Sequence, residues 1–517
     1  MSGQENPSLP NFTPAEIVAT LAGLMLSIAL ASLDQTIVAS SLSTMARDLD
    51  GWELMPWVVT AYLITSTTTT PIYGKLSDLY GRRPVMLASI GLFVVTSILC
   101  ALAQTMPQLI AARALQGLGG GGLRAVTQAV IADIVPPRER GRYQGIFAGV
   151  YAVSTTLGPV LGGLFSDYLS WHWIFWINVP LGLLAFLLSN RQLKRLPKPT
   201  KRPLIDWWGA LLILASSTPI LLGIGQVEQA GGWGTPEVIV PILLGFLFLG
   251  GLIMRERVAP EPMLPLRLFT NSVYRAAITV TFLTFMISAA LIVIIPIHYQ
   301  LAGGFSAKDA GLRLIPFTGG LAIGAFSAGQ LITIIGRYRL FPIVGTGCSM
   351  TCCLILAWMG LGNSLTSDIF ATLLLGMSFG LQISPITVTC QNALDWRDTG
   401  IGMAMMMFVR LIAGAFGVAL LSTVLIVAMN DGALAVPGHE VLGAHPGIAL
   451  FRLEAHNNLS PALLAGLKAA IEQGFSRLYL VAAGISALCF IGALSIKEIP
   501  LKERGPAAAP VAAADGD

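Results

Sequence analysis

Charged side chains are scarce in this sequence. Asp, Glu, Lys and Arg together make up 11% of its 517 residues, whereas hydrophobic residues make up 54%. Soluble domains carry about 25% charged residues, so the composition excludes an ordinary water-soluble protein. The formal net charge of +4 is small, and we expect no nucleic-acid partner. We predict a protein that is surrounded by membrane lipids.

Cysteine and histidine are also few, with six and five residues. All six cysteines lie in apolar segments, and none has metal-ligand spacing with a histidine. We therefore predict no metal site, no cofactor and no disulfide framework. The sequence also lacks a nucleotide-binding loop and a nucleophile–base pattern, and its polar loops are too short to house a soluble enzyme domain. These absences predict that the protein is not an enzyme.

Long apolar runs fill most of the chain. Each has about 20 residues, the length that crosses a bilayer, so the predicted fold class is an all-α polytopic membrane protein. The N-terminal stretch lacks the basic region of a cleaved signal peptide, and we expect the first run to be retained. Fourteen transmembrane helices are predicted, at 15–40, 54–74, 84–104, 108–133, 141–165, 172–190, 206–225, 237–255, 274–297, 309–333, 341–361, 367–389, 400–429 and 475–496.

The basic residues give this arrangement an orientation. With the N-terminus inside, 22 of the 31 lysines and arginines fall in cytoplasmic loops or in the C-terminal tail. Because basic loops stay on the cytoplasmic side, both termini are predicted to be cytoplasmic. The outer loop at 430–474 contains Ser460-Pro461 before an amphipathic stretch, which predicts a short helix on the outer surface.

A short internal repeat divides the chain. The segment GQLITIIGR at 329–337 aligns with GKLSDLYGR at 74–82, and both follow the second helix of a six-helix set. Transporters commonly have two such related halves. The predicted units are a six-helix half at 15–190, two inserted helices at 206–255, a second six-helix half at 274–496, and a disordered tail at 503–517.

Four motifs carry a family resemblance. They are LDQTIVASSL at 33–42, GKLSDLYGRRP at 74–84, RALQGLGGGG at 113–122 and GVYAVSTTLGPVLGG at 149–163. Together they resemble the major facilitator superfamily, and specifically its fourteen-helix drug:proton antiporter branch. Arg124 departs from that pattern, because an uncharged residue is expected in this branch.

The resemblance implies a function. It implies proton-coupled multidrug efflux of amphipathic, drug-like small molecules by alternating access between two six-helix halves of a major facilitator fold. A bacterial inner membrane, a monomer and a role in antibiotic resistance are expected. The alternative is an exporter of one specific endogenous metabolite, lipid or siderophore.

Ionisable residues inside the membrane are functional candidates, because a charge there is costly unless it is paired or hydrated. Asp34 and Arg113 lie at compatible depths in their helices, so a pair across the first half is expected. An aspartate beside a cation can change its protonation as a cavity opens, and proton coupling is the predicted role. A permanent structural ion pair is the alternative.

A polar stripe on the fourth helix predicts a substrate cavity. Arg124 follows Arg113 by eleven residues and returns to nearly the same face, and Gln116 and Gln128 flank that face. Arg124 is predicted to contact an anionic or carbonyl-bearing part of the substrate, or an internal backbone carbonyl. Other cavity candidates are the aromatic and methionine side chains Trp57, Tyr62 and Met406, with core packing as the alternative for the methionine.

A further set of residues is predicted to control conformational change. The glycines and proline of the fifth helix predict a pliable seam between the halves, or ordinary helix packing. Asp78 is predicted to accept hydrogen bonds from a helix N-terminus or to pair with Arg82, holding the cytoplasmic side closed, with a role in topology alone as the alternative. Arg410 is expected to act structurally between helices. The set comprises Gly74, Asp78, Gly81, Arg82, Gly158, Pro159, Gly162, Gly163 and Arg410.

Overall fold

The computed structural model describes residues 14–51, 54–135, 139–196, 206–227, 232–260, 262–305, 307–362, 364–395, 398–437 and 461–500. Within these ranges the chain is helical and has no strand. The α-helices are α1 Pro14–Ser40, α2 Leu42–Asp48, α3 Met55–Tyr80, α4 Arg82–Ala101, α5 Met106–Ile134, α6 Arg140–Tyr168, α7 Trp173–Trp176, α8 Asn178–Gln192, α9 Trp207–Gln226, α10 Pro236–Val258, α11 Ser272–Leu301, α12 Ala307–Leu312, α13 Ile315–Ile335, α14 Leu340–Met359, α15 Leu365–Ala393, α16 Thr399–Leu434 and α17 Pro461–Leu494.

Eleven helices of the described residues are long and apolar enough to cross a membrane. Helices α7 and α8 together count as one of these. Three further helices, α3, α5 and α6, have 26, 29 and 29 residues but are less apolar. Their polar residues are largely enclosed by neighbouring helices, as at the run of buried hydroxyl side chains from Ser66 to Thr70 in α3.

Two six-helix groups show the same internal packing. The first group is α1, α3, α4, α5, α6 and α8, and the second is α11, α13, α14, α15, α16 and α17. In each group the first helix packs against the fifth and sixth, the second against the fourth, and the third against the fourth and sixth. Between the groups, the second helix of each packs against the fifth helix of the other, as α3 with α16 and α13 with α6.

The repeated glycines end equivalent helices. Gly81 follows α3 with a φ of 94°, and Gly336 follows α13 with a φ of 75°. These positive φ angles favour glycine, because it has no Cβ. Helices α9 and α10 pack against each other, and α9 also contacts α3 and α16.

Two sequence expectations need correction. The helices predicted at 54–74 and 84–104 leave a polar connection at 75–83, but α3 continues to Tyr80 and α4 begins at Arg82. Arg82 pairs with Asp78, and Arg83 donates to Asn190 of α8, so these charged side chains have partners without an extended loop. The short outer helix after Pro461 is instead the start of the continuous 34-residue α17. The predicted disordered tail at 503–517 lies outside the described residues.

Candidate functional site

A fully buried ion pair joins α1 and α5. Asp34 Oδ2 accepts a 2.6 Å hydrogen bond from Arg113 Nη1, and both side chains have no exposed surface. Asp34 Oδ1 accepts two further hydrogen bonds, from Gln116 Nε2 at 3.1 Å and from Asn178 Nδ2 at 2.8 Å. Ser97 Oγ accepts from the same Asn178 amide at 2.9 Å. We call these five residues the Asp34 network.

Residues of α3 cover one side of the Asp34 network. The Tyr62 ring lies beneath the Arg113 guanidinium, with 4.3 Å between its centroid and Cζ. Arg113 Nε donates to the Val58 carbonyl at 3.3 Å. Tyr62 and Gln116, predicted as cavity residues, are therefore packed against the ion pair and fully buried. The physical reason is that a buried guanidinium needs both hydrogen-bond acceptors and a covering apolar surface.

Sequence analysis missed Asn178 and Ser97. Asn178 opens α8 and Ser97 lies in α4, so four helices supply the network. Each is a neutral polar residue in an otherwise apolar stretch. The amide of Asn178 between Ile177 and Val179 is the signal that points to a buried hydrogen-bond partner.

Arg124 lies apart from this network but contacts the same helix α1. Its Nη2 donates to Gln35 Oε1 at 2.9 Å, whereas its buried Nη1 has no hydrogen-bond partner among the described residues. One turn further along α5, Gln128 Oε1 accepts from Gln144 Nε2 of α6 at 2.8 Å. The side chain of Arg124 is partly exposed, unlike that of Arg113.

Arg410 is a cation of the second group. Its Nη2 donates to Thr387 Oγ1 at 2.6 Å and lies 3.7 Å from Met406 Sδ. Its Cζ is 4.6 Å from the centroid of the Phe285 ring. The buried Nε has no hydrogen-bond partner among the described residues. Met406 is fully buried, so it packs in the core, while Trp57 is 38% exposed.

A charged cluster occupies the end of the bundle where α3 meets α4. Arg82 pairs with Asp78 and also with Asp133, to which its Nε donates at 2.7 Å. Asp78 Oδ2 accepts from the backbone N–H of Ile401 at 2.9 Å. That N–H is in the first turn of α16, so Asp78 binds the N-terminus of a helix in the second group. We call Asp78, Arg82, Asp133 and Ile401 the Asp78 cluster, and this end of the bundle the Asp78 end.

Small residues bring the two groups together at the Asp78 end. A Cβ on Gly74 would overlap Ala404 of α16. Gly141 lies against Gly329 of α13, and its carbonyl accepts from Ser384 Oγ of α15 at 3.2 Å. A Cβ on Gly145 would overlap the backbone of Phe326. Further along α6, Gly149 has open space beside it.

In this conformation, Gly158 and Gly162, two of the residues predicted to form a seam between the halves, contact the first group. Gly158 packs against Thr36 of α1, and the Gly162 carbonyl accepts from Ser41 Oγ at 3.1 Å. Both contacts are within the first group, and Gly163 faces open space. Pro159 lies between them in α6. The close glycine contacts between the groups lie at the Asp78 end, where α6 begins.

Neither a metal site nor a disulfide occurs in the part of the chain that the structure describes. No group of three His, Cys, Asp or Glu side chains is placed to hold a metal ion, and the six cysteines are free thiols.

Comparison with known proteins identifies the family. Residues 24–418 match the family model of the Major Facilitator Superfamily. An uncharacterized MFS-type transporter of Mycobacterium tuberculosis is 31% identical over 502 residues, covering 96% of this chain and 71% of the relative. Multidrug resistance protein 3 of Bacillus subtilis is 31% identical over 474 residues, covering 89% of this chain and 91% of the relative.

Solved structures agree at the level of the fold. The human organic anion transporter MFSD10 superposes with a TM-score of 0.64 at 16% identity, over 93% of this chain and all of that structure. The proton:xylose symporter XylE gives a TM-score of 0.61 at 13% identity, over 95% of this chain and 98% of that structure. The chain belongs to the major facilitator superfamily and is a multi-pass membrane transporter of small molecules, not an enzyme.

Proposed function

We propose that this protein exports amphipathic, drug-like small molecules in exchange for protons. The observation that carries the proposal is the Asp34 network, a carboxylate buried between helices with Arg113 as its counter-ion. Relatives named as multidrug proteins support the direction of transport, among them multidrug transporter protein MdtP of Bacillus subtilis, 30% identical over 408 residues.

In the proposed cycle, Asp34 exchanges its partners. As a carboxylate it accepts from Arg113, Gln116 and Asn178. A proton on Asp34 neutralises the carboxylate and weakens its attraction to Arg113, because the ion pair requires both charges. Four helices hold this network, so its rearrangement moves α1 relative to α5. Rocking of the first group against the second then exposes the site to the other side of the membrane.

The Asp78 end is proposed to be cytoplasmic. Basic residues concentrate there, as at Arg82 and Arg83. The close inter-group contacts of Gly74, Asp78, Gly141 and Gly145 lie at this end, and in this proposal they keep the cytoplasmic side closed. In this proposal Asp78, Arg82 and Gly74 hold that closed state, and Gly81 sets the sharp joint between α3 and α4.

The proposed topology has fourteen spans in a bacterial inner membrane. Helices α3, α5 and α6 are long enough to cross, and polar residues inside the bundle account for their lower apolarity. Adding them to the eleven apolar helices gives an even number, which leaves both termini on the cytoplasmic side. Two six-helix halves flank the inserted pair α9 and α10, consistent with the drug:proton antiporter branch.

The test is flux into everted membrane vesicles under an imposed pH gradient, with a panel of cationic, neutral and anionic amphipathic dyes. We expect gradient-driven uptake by the wild type and none by Asp34→Asn. Asp431→Asn is the matched control, because Asp431 pairs with Arg477 at the surface, and it should transport normally. Gradient-driven uptake by folded Asp34→Asn at the wild-type rate would refute the coupling role. Uptake of a single compound would favour the specific-metabolite alternative.

A further inference from the structure

Arg124 and Arg410 lie at the same depth in the bundle. Asp133 and Ile401 mark the Asp78 end, because both belong to the Asp78 cluster. Arg124 is nine residues from Asp133 along α5, and Arg410 is nine residues from Ile401 along α16. At a rise of about 1.5 Å per residue, each lies roughly 14 Å from that end. Helices α5 and α16 pack directly against each other.

Neither cation has an acidic partner within ion-pair distance among the described residues. Arg124 is held only by the neutral Gln35, and Arg410 by the neutral Thr387. Each retains one buried N–H group without an acceptor, at Nη1 of Arg124 and Nε of Arg410. An unpaired charge at membrane depth is costly, and an orphaned buried donor adds to that cost.

The nearby carboxylate is already neutralised. Asp34 precedes Gln35 on α1, but its two oxygens accept from Arg113, Gln116 and Asn178. The ion pair with Arg113 balances its charge. Arg124 of α5 and Arg410 of α16 are therefore two positive charges at the same depth, on packed helices of the two groups, without a compensating carboxylate among the described residues.

The surroundings of Arg410 suit an amphipathic ligand. The sulfur atom of Met407 lies 3.9 Å from its guanidinium, the Phe285 ring covers one face, and both side chains are partly exposed. Methionine and phenylalanine side chains accept apolar groups of varied shape. An anionic group at the arginines with an apolar body beside it matches this arrangement.

We propose that Arg124 and Arg410 form a substrate-binding site for the anionic group of an amphipathic molecule, with a carboxylate as the expected group. The proposal rests on the proposed export function but concerns the substrate class and not the proton coupling. Arginine suits the task, since its planar N–H groups match a carboxylate. The exported compounds are then acids, and cationic amphiphiles are disfavoured by the same two charges.

The test uses three pyrene probes with the same apolar body and an anionic, neutral or cationic end group: 4-(1-pyrenyl)butyrate, its primary amide and 4-(1-pyrenyl)butylamine. The full chain is placed in phosphatidylcholine nanodiscs, and binding is followed by energy transfer from its ten tryptophans, with empty discs as background. We expect the wild type to bind the carboxylate about tenfold or more tightly than the amide, since hydrogen bonds to charged groups are the stronger ones. The amine should bind most weakly.

Variants assign the preference to the two arginines. Arg124→Gln and Arg410→Gln should each weaken carboxylate binding by about tenfold and leave amide binding unchanged. Arg124→Lys should retain part of the preference, and Arg257→Gln, a change at an exposed arginine of α10, should retain all of it. Equal wild-type binding of the three probes overturns the proposal without any variant. A preference that survives in the Arg124→Gln/Arg410→Gln double variant also overturns it.

Two further experiments complete the test. Adding an anionic lipid distinguishes a substrate site from a lipid site, and measuring flux separates the anion preference from the export function. Addition of phosphatidylglycerol to the discs should leave carboxylate binding intact. Loss of binding would mean that the arginines hold a lipid headgroup, which overturns the substrate assignment. Proton-driven flux of the amine without carboxylate binding would refute the anion site and leave the export function standing. Carboxylate binding without any proton-driven flux would support the anion site and refute the export function.

Discussion

The Asp78 cluster makes a quantitative prediction about conformation. Asp78→Ala removes the acceptor for the Ile401 N–H and one of the two carboxylates paired with Arg82. Arg82 keeps Asp133, which belongs to the same group, so the loss falls on the contact between groups. A hydrogen bond to a charged group contributes about 1.5–3 kcal/mol. The equilibrium should therefore move about 10- to 150-fold toward the state that is open at the Asp78 end.

Pulsed spin-label distance measurement tests this shift. Labels on Tyr80→Cys and Arg337→Cys, both exposed and in different groups, are placed in a chain whose six cysteines have been replaced. We expect a longer distance to gain population in Asp78→Ala. Arg83→Gln is the control at the same end, because among the described residues Arg83 bonds Asn190 of its own group, and it should match the parent. An unchanged distance distribution in Asp78→Ala would show that the cluster does not hold this end closed.

Other substitutions test the packing and the buried network. Gly74→Leu should force α3 from Ala404 and lengthen the same spin-label distance, because a Cβ has no room there; no change would contradict the close approach. Asn178→Leu should slow gradient-driven uptake at least severalfold with the protein still folded, since it removes one donor to Asp34; normal uptake would exclude a positioning role. Arg113→Leu should lower the free energy of unfolding by about 3–5 kcal/mol, because it leaves Asp34 buried and unpaired. Adding Asp34→Asn should recover part of that loss, and additive destabilisation would argue against the coupled pair.

The helices were largely predictable because membrane crossing sets a length and an apolar composition. The structure is helical over most of each predicted range, including α3, α5 and α6, which are less apolar than the other eleven candidate spans. Their polar residues face other helices, which one sequence does not reveal. The equivalence of Gly81 and Gly336 was also predictable from the internal repeat. Both glycines follow a helix with a positive φ angle.

The candidate site was predictable in its charges but not in its neutral residues. Asp34 and Arg113 stand out because ionisable residues are rare in apolar helices. Asn178 and Gln35 are weaker signals, since neutral amides cost less and occur throughout membrane helices. The residue that Gly158 contacts could not be predicted, for a related reason. Helix periodicity gives the face on which a glycine lies, but only tertiary packing decides which helix meets that face.

The proposed coupling of substrate export to protonation of Asp34 is tested most directly by proton release on substrate binding. The purified protein is held in weakly buffered detergent solution with a pH indicator, and the compound that is transported fastest in the vesicle panel is added. The account predicts that the wild type releases protons and that folded Asp34→Asn, which still binds the compound, releases none. Equal proton release by both proteins would contradict it.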